Sequence, residues 1–344
     1  MIQNNISEMR ILGDDLALRW KDIFVQVSSD LGFVPDWNRL RKSEWWKTGK
    51  IGAVSCHGVM NVDGQPKRAV LKIQGTKTMT SEVEMIKAFE FQNNSSTIRP
   101  PKIYGSFPWD DEKQFEVLVM EEVNAECVIT RHPAPNRQLS KYFNLYSEYR
   151  KNCRSIPWVK KPDEWSFRRM LFKVWMPAVE KQSQSDVLKN ESDLKLVEKG
   201  IRIIESSLTV EDLEFVHGHF QPGDLLVVSD KEVVLFSNLA WSWRVPFYDA
   251  VFGYHWWMLG MEHAKNLTTD LLEQERRRWL EKIFNLSEIK GNKRNIRLVK
   301  LALLERAIPA LMVDRYMMNP EEPSYEIITE SARKELKRLV QELL

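Results

Sequence analysis

Little in this chain points to a stapled or metal-bound framework. Only three residues are cysteine, Cys56, Cys127 and Cys153, and none belongs to a Cys-x-x-Cys pair or a Cys/His cluster. That usage argues against a disulfide scaffold and a structural zinc, and it fits a reducing compartment. Charge of one sign is missing too. Fifty Lys and Arg face 48 Asp and Glu, a formal net charge of +2. So small a net charge gives no long-range field for a polyanion, and no nucleic-acid partner is expected. No apolar run is long enough to cross a bilayer. The best late stretch, Leu298 to Val313, is interrupted by Lys300, Glu305, Arg306 and Pro309, so no membrane partner is expected either. The start, Met1-Ile2-Gln3-Asn4-Asn5, has no basic segment leading into an apolar one, and the expectation is a cytoplasmic protein. Repeats and low-complexity segments do not stand out. A G-x-G-x-x-G phosphate loop is absent, and Gly49-Lys50-Ile51-Gly52 and His57-Gly58 are the nearest substitutes.

What is present is ordinary globular material in generous length. At 344 residues, 43% hydrophobic and 28% charged, the chain can build two lobes, each with its own core. Thirteen Trp is a high count, and in long helices such residues are expected in the core. A helix is expected around Asp14 to Val27. Strand texture follows over Ile51 to Val62, ending at the hairpin signal Asp63-Gly64, and again over Arg68 to Gln74. Thr80 to Gln92 has helical periodicity. Pro100-Pro101 breaks the chain before Ile103-Tyr104, and Phe115 to Met120 reads as an apolar strand. The order strand, strand, helix, strand, strand suits a small antiparallel sheet with one packed helix.

Beyond Glu122 the pattern turns helical, with candidates at Leu139 to Cys153, Glu164 to Lys181, Asp193 to Ser207 and Tyr325 to Leu344. Two short strands, Leu225 to Val228 and Val233 to Phe236, flank the turn Ser229-Asp230-Lys231. The division expected is an N-terminal lobe over 1–121, with a helical extension to about residue 40, and a helical C-terminal lobe over 122–344. Arg276-Arg277-Arg278 reads as a solvated helix face, as do the acidic clusters Glu211-Asp212-Leu213-Glu214 and Glu321-Glu322 as solvated loops. His255, beside Trp256-Trp257, reads as a packed residue rather than a ligand.

Several residues carry chemistry. Lys72, on the otherwise apolar strand Val70-Leu71-Lys72-Ile73, is expensive to turn inward unless it meets a carboxylate. Glu82 is the first choice of partner and Glu84 the second; Ser81 with Glu84 also reads as a helix capping box. The most informative stretch is His217-Gly218-His219-Phe220-Gln221-Pro222-Gly223-Asp224, followed by Val233-Val234-Leu235-Phe236-Ser237-Asn238 and Pro246-Phe247-Tyr248-Asp249-Ala250. Together these segments resemble the catalytic loop, metal strand and following Pro-x-Tyr-Asp segment of the aminoglycoside phosphotransferase and choline kinase-like family, whose loop reads His-Gly-Asp-x-x-x-x-Asn.

That resemblance implies an α+β, protein-kinase-like two-lobed fold. It implies a Lys72–Glu82 ion pair on the nucleotide side, a lobe-joining segment at Met120 and Glu121 whose backbone would hold an adenine, and ATP with Mg²⁺ as cofactors. It also implies losses. The base position holds His219 instead of Asp. The metal positions hold Asp224 instead of Asn and Ser237 instead of Asp. His217 would keep a structural hydrogen-bonding role. The expectation is a pseudokinase with impaired or absent phosphoryl transfer that keeps weak nucleotide or small-ligand binding. Two alternatives stay open: an atypical small-molecule kinase using Asp224 for metal and His219 as base, and a non-catalytic interaction module. Neither the ligand nor any protein partner is legible.

Overall fold

The computed structural model describes residues 16–44, 51–75, 77–78, 80–175 and 190–344. Gly49 and Lys50, the substitute for a phosphate loop, lie outside them, as do Asp14 and the end of the expected helix Glu164 to Lys181.

The N-terminal lobe is a five-stranded antiparallel sheet in the order β1 (Phe33–Glu44), β2 (Ile51–Val62), β3 (Gln65–Gln74), β6 (Phe115–Glu121), β5 (Ile103–Asp110). Asp63 and Gly64, with φ of 52° and 76°, make the tight turn between β2 and β3, the conformation a two-residue hairpin requires. Strand alternation then sorts the side chains. Val54, Cys56, Leu71, Ile73, Val117 and Val119 bury one face against Phe24 and Val27 of α1 (Trp20–Leu31). The other face carries Val70, Lys72 and Gln74, opposite Met120, Leu118 and Glu116 of β6. Strand β1 has no counterpart among the sequence expectations. It is an edge strand whose register shifts between Pro35 and Leu40, so its apolar alternation is broken by the irregularity and diluted by exposure.

The helix α2 (Glu82–Gln92) starts at Ser81, whose hydroxyl accepts from the Glu84 backbone N–H at 3.1 Å while the Glu84 carboxylate accepts from the Ser81 N–H at 3.0 Å. That reciprocal cap leaves Glu82 free to face the sheet. Met85 and Phe89, further along the same buried face of the helix, belong to the core of the C-terminal lobe, so α2 ties the lobes together. A second tie is Arg99 on the short strand β4 (Ile98–Arg99), which pairs in parallel with β10 (Glu232–Leu235). Its guanidinium binds Glu121 at the end of β6 and, at 2.7 Å, Glu232.

The C-terminal lobe is mainly helical. Helix α3 (Asn136–Glu148) runs on into a π-helical turn, Tyr149–Cys153. After α4 (Phe167–Met170) come α5 (Glu191–Ser207), α6 (Tyr248–Gly260), α7 (Thr269–Phe284), α8 (Lys293–Met312) and α9 (Pro323–Leu343). Trp158, Trp175, Trp241, Trp257 and Trp279 are buried in this core, and His255 is packed with its Nε2 3.1 Å from Asp314. No helix among the described residues is long and apolar enough to cross a membrane.

Two surface expectations need correction. Arg276 is buried and bonded to Glu335 at 2.6 Å, and Arg278 reaches Glu275 and the Ala134 carbonyl; only Arg277 of that run is exposed. Glu214 is not a solvated loop residue. It accepts from Arg150 at 2.9 Å and Arg154 at 3.3 Å. Burial pushes its pKa up, but those two guanidinium charges and their hydrogen bonds pull it down to about 2. Runs of one charge look solvated in sequence because their opposite partners come from remote segments.

Arg99 generates a stability prediction. Replacing it with Ala leaves the Glu121 carboxylate, 12% exposed, without its main partner and should cost about 1–2 kcal/mol, allowing for the partial exposure of Arg99. Urea unfolding midpoints of wild type, Arg99→Ala, Glu121→Gln and the double variant should show a coupling energy that neither single change accounts for.

Candidate functional site

The segment His217 to Asp224 is held from behind by one buried carboxylate. Asp249, in the first turn of α6, accepts from the His217 backbone N–H at 3.0 Å, the Gly218 N–H at 2.8 Å and the Tyr149 hydroxyl at 2.5 Å. Burial pushes its pKa above the ordinary carboxylate range, while the Tyr149, Arg154 and backbone contacts oppose that rise. Gly218 has a φ of +79°, and a Cβ there would stand 2.3 Å from the Ala240 carbonyl oxygen, so only glycine fits. The π-helical turn that advances Tyr149 toward Asp249 is a local departure of the kind that re-aims a side chain. His217 is fully buried against Trp241, ring centroids 5.0 Å apart in an edge-on contact. Burial lowers its pKa to about 3, so it is a neutral packed residue.

Beyond Gly218 the three altered positions meet. His219 Nδ1 lies 2.7 Å from Asp224 Oδ2, and the Ser237 hydroxyl donates to Asp224 Oδ1 at 2.8 Å. Asp224 is thus the centre of a closed unit with both carboxylate oxygens engaged. Ser237 sits at φ +62°, a left-handed backbone uncommon for a non-glycine residue, at the end of β10. For His219, burial lowers the imidazole pKa but the charge and hydrogen bond of Asp224 outweigh it, and the net shift is upward. Its side chain is still 35% exposed, which moderates the desolvation. With Nδ1 committed to Asp224, Nε2 is the nitrogen free to exchange a proton. The ring packs on Phe252 with centroids 4.8 Å apart.

Mg²⁺ prefers carboxylate and phosphate oxygens in octahedral geometry. Here Asp224 is the one carboxylate among the three positions, position 237 supplies a neutral hydroxyl that donates to it, and position 219 supplies a histidine. Among the described residues there is no group of three or more His, Cys, Asp or Glu able to hold a metal. The residues present do not fit the Mg²⁺ site the resemblance implies.

On the opposite lobe, Lys72 Nζ lies 2.6 Å from Glu82 Oε2. Glu84 serves the helix cap instead, so both readings of the Ser81–Glu84 segment hold at once, on different carboxylates. Sequence reasoning passed over a third acid. Glu116 is buried, and its register opposite Gln74 puts it on the same sheet face as Lys72. Burial first, then the nearby charge of Glu82, raises its pKa to about 7, with Lys72 pulling the other way. In sequence Glu116 is one acid in an apolar strand, and only its alternation with Leu118 and Met120 hinted at its side.

In the joining segment, Met120 lies on the Lys72 face, while the Glu121 side chain binds Arg99 and the Lys102 backbone N–H. Glu122 collects Arg39 at 2.8 Å, Arg68 at 3.2 Å and His57 at 3.4 Å. On the C-terminal side of the loop, a cleft of about 400 Å³ is lined by Gln221, Gly223, Trp256, Trp257, His132 and Asp314 among others. His132 stacks on Trp257 at 3.8 Å, and burial, with a smaller effect of His263, lowers its pKa to about 4.

No family model matches the sequence, and no curated protein matches it. Solved structures do. Aminoglycoside phosphotransferase APH(4)-Ia is similar with a TM-score of 0.56 at 9% identity, covering 94% of this chain and 98% of that one. Amicoumacin kinase hAmiN, in complex with AMP-PNP, Ca²⁺ and Ami, gives a TM-score of 0.56 at 12% identity, covering 94% and 95%. Choline kinase LicA from Streptococcus pneumoniae gives 0.51 at 12% identity, covering 92% and 98%. At these identities the likeness shows the fold: a phosphotransferase-like, protein-kinase-like two-lobed architecture over nearly the whole chain.

Two outcomes follow from the geometry. Gly218→Ala should destabilise the protein by at least about 2 kcal/mol, read as a lowered urea midpoint, because strain and a backbone clash coincide. Glu116 should make stability pH-dependent. Its folded pKa, about 7, lies above the ordinary 4.5. Its contribution is therefore complete below the lower value and is lost as pH rises through the upper one. Relative to Glu116→Gln, wild type should lose up to roughly 3 kcal/mol across that window, measured by urea unfolding at a series of pH values.

Proposed function

We propose that this chain is a catalytically defective relative of the small-molecule phosphotransferases, a pseudokinase that keeps a ligand site between its lobes without phosphoryl transfer. One observation carries the reading: Asp224, bonded to His219 and Ser237, is the one carboxylate among the three positions, with a histidine at one and a neutral hydroxyl at the other. Phosphoryl transfer rests on positioning and on neutralising the developing phosphate charge. In this site the base position and a metal position are spent on each other. Each tenfold of lost rate corresponds to about 1.4 kcal/mol of transition-state stabilisation, and loss of both functions removes several such factors.

The residues that remain define what the site does. Lys72, held by Glu82 at 2.6 Å, offers a fixed ammonium on the sheet face. Met120 and its neighbours offer an apolar wall beside the joining segment. Asp249 and Gly218 hold the loop rigidly. The site is built to bind rather than to turn over.

The second reading, an atypical kinase, draws on the orientation of His219. A histidine whose Nδ1 bonds a carboxylate presents Nε2 as a competent general base. That arrangement leaves Asp224 as the one anionic ligand beside a neutral Ser237 hydroxyl. A single carboxylate is a poor match for Mg²⁺, which favours the pseudokinase.

Comparison of wild type with His219→Asp/Asp224→Asn/Ser237→Asp decides between them. The triple variant should gain Mg²⁺-dependent nucleotide binding and slow ATP hydrolysis, while each single change does little, because residues acting as one unit are non-additive. Wild type should show no ATP turnover against a panel of amino sugars and amino alcohols. Robust wild-type turnover that disappears in Asp224→Ala would reject the reading.

A further inference from the structure

The sheet face that carries Lys72 has an unusual charge map. At the Lys72 end, one ammonium stands among three carboxylates. Glu82 pairs with it directly at 2.6 Å. Glu116 lies on the same face, with Lys72 opposite Leu118 and Gln74 opposite Glu116, a diagonal spacing within reach of long side chains. Glu84, at the helix cap, adds a third charge; Glu82, Lys72 and Glu84 are the charged groups that bear on Glu116. Among the described residues Glu116 has no salt bridge or side-chain hydrogen bond to match the one that holds Glu82. At the other end of the face, by the joining segment, the balance reverses. The single carboxylate of Glu122 is met by Arg39, Arg68 and His57. Among the described residues the acid surplus is therefore at the Lys72 end and the basic surplus at the joining segment.

A nucleotide in this architecture would bring charge the wrong way round. Its uncharged base would go to the joining segment and its phosphates to Lys72. Mg²⁺ would ordinarily neutralise those phosphates, and the closed His219–Asp224–Ser237 unit does not fit that ion. We propose that Glu116 is a selectivity residue that turns polyphosphates away from the Lys72 end of the interlobe site, so that the site takes an uncharged ligand of nucleoside size. This deepens the pseudokinase reading and rests on it for the existence of a ligand site. Glu116 acts by its charge and position: it cancels the field that Lys72 would otherwise offer a phosphate. Because it is buried and lacks a cation of its own, that charge is poorly screened by salt.

Calorimetric titration of adenosine and ATP, with a chelator present and at about pH 8, where Glu116 is ionised, tests the idea on the full chain. Wild type should bind adenosine at least tenfold more tightly than ATP. Glu116→Gln should raise the ATP affinity about tenfold, the order of effect a like charge exerts in a poorly screened site, and leave adenosine unchanged. Glu116→Met, of similar length and volume, serves if the Gln variant does not fold. Three results would overturn the proposal: ATP binding wild type as tightly as adenosine, adenosine failing to bind, or the same adenosine-to-ATP gap in the variant. The wild-type order alone can overturn it, without any variant. Failure of the pseudokinase reading has a separate signature, ATP turnover, and the two outcomes are read in different assays.

Discussion

Everything at the candidate site depends on the carboxylate of Asp249. It accepts two consecutive backbone N–H groups, from His217 and Gly218, and a tyrosine hydroxyl. Three donors on one buried acid fix the direction in which the loop leaves β8 (Glu214–Val216). Gly218 then takes the left-handed turn that no side chain permits, passing 2.3 Å from the Ala240 oxygen at the place a Cβ would occupy. From there the positions of His219 and Asp224 follow. A hydrogen-bonded buried carboxylate of this kind is costly to disturb, since removal of one partner leaves the others unsatisfied. The loop geometry is preserved by groups that have nothing to do with its chemistry.

That separation keeps the support of the loop distinct from the side chains the loop presents. Asp249, Tyr149, Gly218 and Trp241 form the support, while His219, Asp224 and Ser237 occupy the working positions. The working positions have closed on one another, with 2.7 and 2.8 Å bonds to a common carboxylate. Charge-assisted bonds of that length are strong. On the facing lobe Lys72 pairs with Glu82, and the buried Glu116 lies on the same sheet face.

Much of this was legible in residue order. The Asp63-Gly64 turn and the Ser81–Glu84 cap are local signals, each set by the stereochemistry of a few adjacent residues, while the Lys72–Glu82 pair was legible through the family resemblance. The motif from His217 to Asp249 is long enough to locate every altered position. Edge strand β1 was not legible, because a register shift and exposure erase its alternation. Arg276 and Glu214 were read as solvent-facing, because their partners, Glu335 for one and Arg150 and Arg154 for the other, are distant in sequence. Glu116 was invisible as a site residue, since one acid in an apolar strand carries no sign of which charges it will face.

From the sequence came the order of strands and helices, which rests on local propensity, and the two-lobed arrangement and the Lys72–Glu82 partnership, which rest on the resemblance of its motifs to the phosphotransferase family. Tertiary structure alone decided which atoms His219, Asp224 and Ser237 would bind. Ser237 is thirteen residues from Asp224 along the chain, and whether its hydroxyl would meet that carboxylate, a phosphate or solvent depended on how β10 ends beside the loop. Likewise, only the pairing of β3 with β6 brought Glu116 to the face of Lys72. Electrostatic roles are properties of three-dimensional neighbourhoods, because Coulomb energies follow distance and burial rather than order along the chain.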